Sequence, residues 1–313
     1  MSESINILNK HIKSLQLGNV TSYKNLTLYP LSSSINNNND YLTLEDAINS
    51  GKFLVTEIND SGSVPELKVL NLLNENVLII DGEELVGAKQ NRIVNASLII
   101  SKNSEQIIPV SCVEENRWEY KSKTFSASEN YLYSSLRKKK SCSILNNLRN
   151  NASYTSNQRE IWADIEKKSN SQTKRKISKS MEAIYAAQKQ ELNNYEKAFN
   201  FEEGDYVGFI ALVDGKIAGC DIFSSKTVFS KVFKKLLRSY ILDCINTDGV
   251  EADFIKYDMD NIRKFIQKIN KLKKEEYDSK GLGKDIRFIN KNVSGYALVN
   301  DNEAVHVAVF QHN

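Results

Sequence analysis

The sequence predicts an α+β protein: an N-terminal antiparallel β-sandwich or barrel-like sheet packed with a C-terminal helical and β segment. Three observations predict it. Between Leu15 and about Tyr120, apolar and polar residues alternate in short runs (NLTLYPL, KFLVTEI, LKVLNLL, NVLIIDG) separated by the turn-formers NNNND, NDSGS and NEN. Short strands at that spacing suit a sandwich or barrel. Later, Val228, Phe229, Val232, Phe233, Leu236, Leu237, Tyr240, Ile241, Cys244 and Ile245 form one helical stripe. The order strands, helices, strands, helix, strands is not the regular alternation of a doubly wound fold.

The elements follow in order. Residues 1 to 14 read as a short amphipathic helix or a loose leader. Tyr41 to Lys52 is a short helix that Thr43 can cap and Gly51 can end. Ala88 to Ile100 and Ile107 to Arg117 read as strands that pair as a hairpin through SKNSEQ. From Tyr131 to about Ser180 the text turns polar and basic (LRKKKS, NNLRNN, KKSNSQTKRK). Such a run is a solvated face or, alternatively, a clamp for phosphates or an interaction surface; Ile161, Trp162 and Ile165 mark a short helix within it. Met181, Ile184, Tyr185, Gln188, Leu192, Tyr195 and Phe199 predict one amphipathic helix of several turns. Asp214-Gly215 predicts a hairpin, Ile262 to Lys274 a helix, and the C-terminal stretch three strands turning at Asn300 to Asn302. The C-terminal strands would complete the N-terminal sheet, because open sheet edges are a liability. The organisation is thus a β-rich region at 15–130, a basic connector at 131–180, and an α+β region at 181–313 that completes the same domain.

Bulk properties narrow the function classes. The chain has 313 residues, enough for one large domain or two intimate ones. Its 42 basic and 39 acidic residues leave a net charge of +3, which argues against non-specific nucleic-acid binding. No apolar run of about 18 residues is present, so no membrane span is expected. Without a signal-like leader, and with four scattered cysteines and no C-x-x-C, a cytoplasmic protein is expected. The three histidines, His11, His306 and His312, are scattered and point to no metal site. His306, flanked by Val305 and Val307, is a satisfied sheet histidine or a general base. KGLGK (Lys280 to Lys284) lacks P-loop spacing, and no dinucleotide or hydrolase fingerprint is present, so no cofactor is expected. The sequence leaves the oligomeric state open.

The chemistry concentrates in two strands. Residues two apart in a strand share a face. Gln90 and Arg92 share the parity of Val94, Ala96, Leu98 and Ile100, and Glu114 shares that of Ile108, Val110 and Cys112. In the hairpin, Arg92 and Glu114 would lie at the same end of the sheet and face its interior, with Arg117 and Trp118 nearby. Desolvating such charges costs several kcal/mol per ion unless they are paired. Two explanations stand: a buried Arg–Glu pair that fixes a barrel mouth, or a ligand pocket there. In the pocket, the planar arginine forks suit phosphate or carboxylate, Trp118 stacks on a base, and Glu83 or Glu84 adds a second carboxylate. Two carboxylates flanking a bond are what glycoside hydrolysis requires.

The same residues carry a resemblance. GEELVGAKQNRIVN (Gly82 to Asn95) followed by IPVSCVEENRW (Ile108 to Trp118) resembles the ARG and rhodanese-phosphatase-superfamily-associated protein family. The Gly219 to Phe223 region with its following helix, and the VSGYAL…HVAVF ending, are similar too, so the resemblance covers most of the chain after about residue 15. The family's gene neighbours include ADP-ribosylglycohydrolases, and the resemblance implies a role in ADP-ribose or related nucleotide metabolism; it transfers no catalytic residue. The expectation is binding or hydrolytic processing of a small ADP-ribose-like nucleotide. Gln90, Asn91, Arg92, Arg117 and Trp118 would hold it, and Glu114 and Glu83 would act as acid and base. The alternative is a non-catalytic interaction or scaffold protein in which the Arg/Glu cluster is a structural salt bridge.

Overall fold

The computed structural model describes residues 2–35, 41–115, 117–172, 179–199, 201, 204–245 and 259–312. The chain divides into two compact units. The first comprises Met1–Asp40, Glu191–Ser279 and Gly283–Asn313; the second comprises Tyr41–Gln190 and Lys280–Leu282. The N-terminal strands therefore belong with the C-terminal part of the chain, and not with the β-rich stretch that follows them. The cause is a hydrogen-bonded ladder: Leu26–Ser33 pairs antiparallel with Gly208–Val213, from Leu31↔Gly208 to Leu26↔Val213.

In the first unit this ladder is part of a nine-stranded antiparallel sheet. Its order is Leu15–Leu17, Leu26–Ser33, Gly208–Val213, Lys216–Phe223, Glu303–Gln311, Val293–Asn300, Lys284–Ile289 and Glu275–Asp278, with Thr21–Tyr23 also on Leu26–Ser33. Strand alternation gives the sheet two apolar faces. Ile210, Leu212, Ile222, Val307 and Val309 form a core with Leu8 and Ile12 of helix Glu3–Lys13 and with Ile262, Phe265 and Ile269 of helix Met259–Lys271. From the opposite face, Phe209 meets Phe229, Phe233 and Tyr240 of helix Lys226–Cys244, the stripe legible in the sequence. Asp214 and Gly215 close the Gly208–Val213 hairpin with φ of 50° and 71°, the left-handed pair that a tight hairpin turn needs.

The second unit holds two sheets among its described residues. One has the order Phe125–Tyr131, Glu83–Gly87, Arg92–Val94, Ser104–Cys112, Glu66–Asn71 and Phe53–Thr56; the other is Leu98–Ile100, Val77–Ile79 and Leu42–Thr43. Strand Ser104–Cys112 changes partners along its length. Ser104 to Pro109 pair with Glu66–Asn71, whereas Val110 to Cys112 pair with Arg92–Val94. Pro109, which has no N–H to offer a ladder, stands at the switch.

Four sequence expectations change here. Ala88 to Ile100 is two strands in two sheets, because Ala88 turns at φ 38° and Leu98–Ile100 pairs with Val77–Ile79. The second strand stops at Cys112, where the Gln158 side chain receives the Cys112 N–H (2.8 Å) and donates to its carbonyl (2.7 Å). The 131–180 segment contains two long helices, Ser134–Asn151 and Gln158–Gln172. Part of its basic run is buried: Lys140 donates to the Val94 carbonyl (2.6 Å) and pairs with Asp81 (3.2 Å). The expected helix over 181–199 is two short ones, Met181–Ala187 and Lys189–Glu196, broken at Gln188. The NNNND turn (36–40) and the basic residues 174–176 lie outside the described residues. No helix among the described residues is long and apolar enough to cross a membrane.

Because the ladder welds the N-terminal strands to Gly208–Val213, amides of Leu26–Ser33 and Gly208–Val213 should open in hydrogen exchange with a common free energy. Ile210→Ala should lower both by about 2–5 kcal/mol. Early, independent exchange of Leu26–Ser33 would contradict this.

Candidate functional site

The hairpin register places the predicted residues. Cys112 lies opposite Arg92 and Val110 opposite Val94, so the parity argument holds across these two strands. The face they share continues through Ile108 to Leu67. Arg92 has no exposed surface, and Gln90, Asn91 and Glu114 are buried beside it.

The ion pairing differs from expectation. The Glu114 carboxylate is gripped by Arg117, whose Nε and Nη2 both lie 2.7 Å from Oε2, and the Asn91 N–H donates to the same oxygen at 3.2 Å. Arg117 also donates to the carbonyls of Ala88 (2.7 Å), Glu119 (2.9 Å) and Gly87 (3.2 Å), and to Asn91 Oδ1 (3.0 Å). Gln90 Nε2 ties this turn to the Glu114 carbonyl at 2.9 Å. The first motif is therefore a tight turn, and the second motif supplies the guanidinium that holds it. Gly87 needs its freedom here: at φ 128°, a Cβ would lie 2.5 Å from Ser122 Oγ and 3.0 Å from the Thr124 carbonyl.

Arg92 is held loosely by comparison. Its Nη1 donates to Gln90 Oε1 at 3.0 Å, an acceptor it shares with the Cys112 thiol at 2.9 Å. Burial pushes that thiol up to about 11, so it stays protonated and donates. Nε and Nη2 of Arg92 have no hydrogen-bond partner. The carboxylate they face is that of Glu57, 3.9 Å from Nη2. Burial pulls the guanidinium below its ordinary range. Trp118 lies over it, ring centre 5.4 Å from Cζ, and remains 45% exposed. Lys89 Nζ sits 5.5 Å from the Trp118 ring and 5.0 Å from that of Tyr120, while donating to the Asp60 and Ser61 carbonyls.

The predicted acid–base carboxylates are placed elsewhere. Glu83 accepts the Ile80 N–H at 2.7 Å, capping a turn. Glu84 pairs across to Ile93 while Leu85 pairs to Arg92, so Glu84 and Arg92 project from opposite faces. Burial, opposed by a hydrogen bond from Ser128, raises the Glu84 carboxyl to about 8. Glu57 and Lys89 escaped the sequence reading. Glu57 follows Phe53 and Val55 at the buried parity of its strand, so the alternation that exposed Arg92 marks it too.

Other predicted features have structural partners. His306 Nε2 lies 3.2 Å from Asp221 Oδ1, Tyr240 donates to Asp221 Oδ2 at 2.8 Å, and the imidazole stacks on Phe223. Among the described residues, no group of three His, Cys, Asp or Glu could hold a metal. A cavity of about 540 Å³ lies in the first unit, between Ile12, Leu15, Leu17, Arg263, Ile266 and Asn270; no predicted site residue lines it.

Fold and site define an α+β protein of antiparallel sheets with a buried arginine cluster at the end of one of them. The residues of that cluster fall in the two sequence segments noted above. The chain belongs to the family of the ARG and Rhodanese-Phosphatase-superfamily-associated Protein domain, whose model matches residues 14–310. No curated protein and no solved structure matches it.

Two outcomes test this geometry. Arg117→Met strands the Glu114 carboxylate and should lower stability by about 3–5 kcal/mol in denaturant titration; a loss under about 1 kcal/mol would contradict the clamp. Glu84 releases its proton near 4.5 when unfolded and near 8 when folded. Its contribution is therefore full below about pH 4.5 and is lost as pH rises through about 8, at roughly 1.4 kcal/mol per unit. Glu84→Gln should flatten that part of the stability–pH curve, and an unchanged slope would refute the assignment.

Proposed function

We propose that this protein binds a small anionic, nucleotide-like ligand, of which ADP-ribose is the representative, with Arg92 as the anion anchor and Trp118 as the stacking platform. One observation carries the reading: Arg92 is wholly buried, yet two of its three nitrogens lack hydrogen-bond partners beneath a half-exposed indole. A buried charged donor left unmade costs more than the roughly 1–3 kcal/mol of a neutral group. A guanidinium edge is the donor pair that phosphate and carboxylate oxygens accept. Trp118, held by ring–cation contacts to Arg92 and Lys89, shifts to admit the anion and then covers it. Nucleotide bases stack on such a ring, typically for about 1–3 kcal/mol.

The geometry favours binding over hydrolysis. Glu114 is neutralised by Arg117, and Glu83 caps its own turn, so neither is presented to a ligand as acid or base. The Arg117–Glu114 half of the cluster supports the structural alternative, and the Arg92–Trp118 half supports ligand binding.

Replacing both members of a buried ion pair by apolar residues of similar volume is often neutral or stabilising, by about 1–4 kcal/mol, whereas removing one member strands the other. The double variant Arg92→Met with Glu57→Leu should therefore melt at or above the wild-type temperature. Saturating ADP-ribose should raise the wild-type melting temperature by at least about 2 °C and leave the double variant unmoved. A large loss of stability in the double variant, or no wild-type response to ADP-ribose, AMP or phosphate, would count against the reading.

A further inference from the structure

Beside the anion anchor stands a second unmatched group. Glu57 is 6% exposed; its Oε1 accepts the Lys89 N–H at 3.3 Å, and its Oε2 has no hydrogen-bond partner. The separation of 3.9 Å between Oε1 and Arg92 Nη2 exceeds the 2.7–2.9 Å of a charge-assisted hydrogen bond. Orphaned donors on Arg92 and an orphaned acceptor on Glu57 thus lie side by side. The side chains around them converge. A Cβ on Gly62 would lie 3.4 Å from Glu57 Oε2 and 3.2 Å from both Trp118 Cζ2 and Lys89 Cδ. Gly62 itself sits at φ 76°, a conformation that side-chain-bearing residues rarely adopt, and it lets the Glu57, Trp118 and Lys89 side chains pack closely against the loop.

We infer that Glu57 is a specificity residue: the ligand carries a hydroxyl beside its anionic group, and that hydroxyl donates to Glu57 Oε2 while the anion takes Arg92. This rests on the anion-binding reading and sharpens it to a sugar phosphate or a nucleotide's phosphorylated ribose. The charges select the donor. A bare anion would meet an uncompensated carboxylate next to its own charge. An ammonium group would satisfy Glu57 but would face two cations, Arg92 and Lys89, in the same space. A neutral hydroxyl satisfies the carboxylate without either repulsion. The sugar's C–H face can then lie on the Trp118 ring.

Isothermal titration of the full chain with ribose 5-phosphate and with butyl phosphate, the same anion without hydroxyls, tests this. A hydrogen bond to a charged group is worth about 1.5–3 kcal/mol, so ribose 5-phosphate should bind at least about tenfold more tightly. In Glu57→Gln that ratio should fall below about threefold, with butyl phosphate bound at least as well as by the wild type. Equal wild-type affinity for the two ligands overturns the inference and leaves the anion site standing, and this comparison needs no variant to fold. Preference retained in Glu57→Gln overturns the assignment to Glu57. If O-phosphoethanolamine, with an ammonium, binds more tightly than ribose 5-phosphate, the hydroxyl is the wrong donor and the inference falls. If neither ribose 5-phosphate nor butyl phosphate binds, the anion-binding reading fails and this inference fails with it.

Discussion

The Arg117 guanidinium is the strut on which the rest of the cluster depends. The chain must leave strand Glu83–Gly87 and enter strand Arg92–Val94 through a turn with positive φ at Gly87 and Ala88. A left-handed residue other than glycine costs of the order of 1–2 kcal/mol, so something must over-determine it. Arg117 does so from across the hairpin, taking the carbonyls of Gly87 and Ala88 and the side chains of Asn91 and Glu114. The turn in turn fixes where Lys89 and Gln90 point and where Arg92 starts its strand. The two sequence motifs are therefore one mechanical unit: the first contains the turn, and the second contains its brace.

That arrangement explains which parts of the site were legible in the sequence. Strand alternation is a local rule, and it located Arg92 correctly because Arg92, Val94, Val110 and Cys112 keep a regular ladder. The same rule applied to Phe53, Val55 and Glu57 points to the carboxylate on the same face, although only a charge at the end of an apolar run signals it. Partner choice is not local. Nothing in VEENRW shows that Arg117, three residues on, reaches Glu114 before Arg92 can, because the reversal of chain direction there is set by contacts with the 87–91 turn. The fold shows the same division. Helix Lys226–Cys244 and the Asp214-Gly215 hairpin were readable from periodicity and turn chemistry. The assignment of the N-terminal strands to the C-terminal sheet was anticipated only as a need to close edges. Helix Ser134–Asn151 was obscured because two of its cations, Arg137 and Lys140, are buried, Lys140 through side-chain bonds that composition cannot show, whereas Gln158–Gln172 was marked in part by Ile161, Trp162 and Ile165.

Buried polar groups elsewhere in this protein supply the standard against which Arg92 is judged. Lys140 sits between the Asp81 carboxylate and the Val94 carbonyl. Asp221 divides its two oxygens between His306 and Tyr240. Asn95 and Ser111 bond each other, and Asn95 also reaches the Tyr154 carbonyl. Each of these groups engages partners within its own unit, as structural polar groups do. Unpartnered buried atoms also occur on Asp81, Glu84 and His11; in Arg92 and Glu57 both members of an oppositely charged pair, 3.9 Å apart, carry them. A purely structural pair would gain by closing that distance, since the penalty of desolvating both ions is already incurred and good geometry is what recovers it. Glu57 directly follows strand Phe53–Thr56 and Arg92 opens strand Arg92–Val94 of the same sheet, and Gly62, at positive φ, packs against Glu57, Trp118 and Lys89. The unpartnered donors of Arg92 and acceptor of Glu57 are what support the proposed site for an outside group over a salt bridge that only supports the sheet.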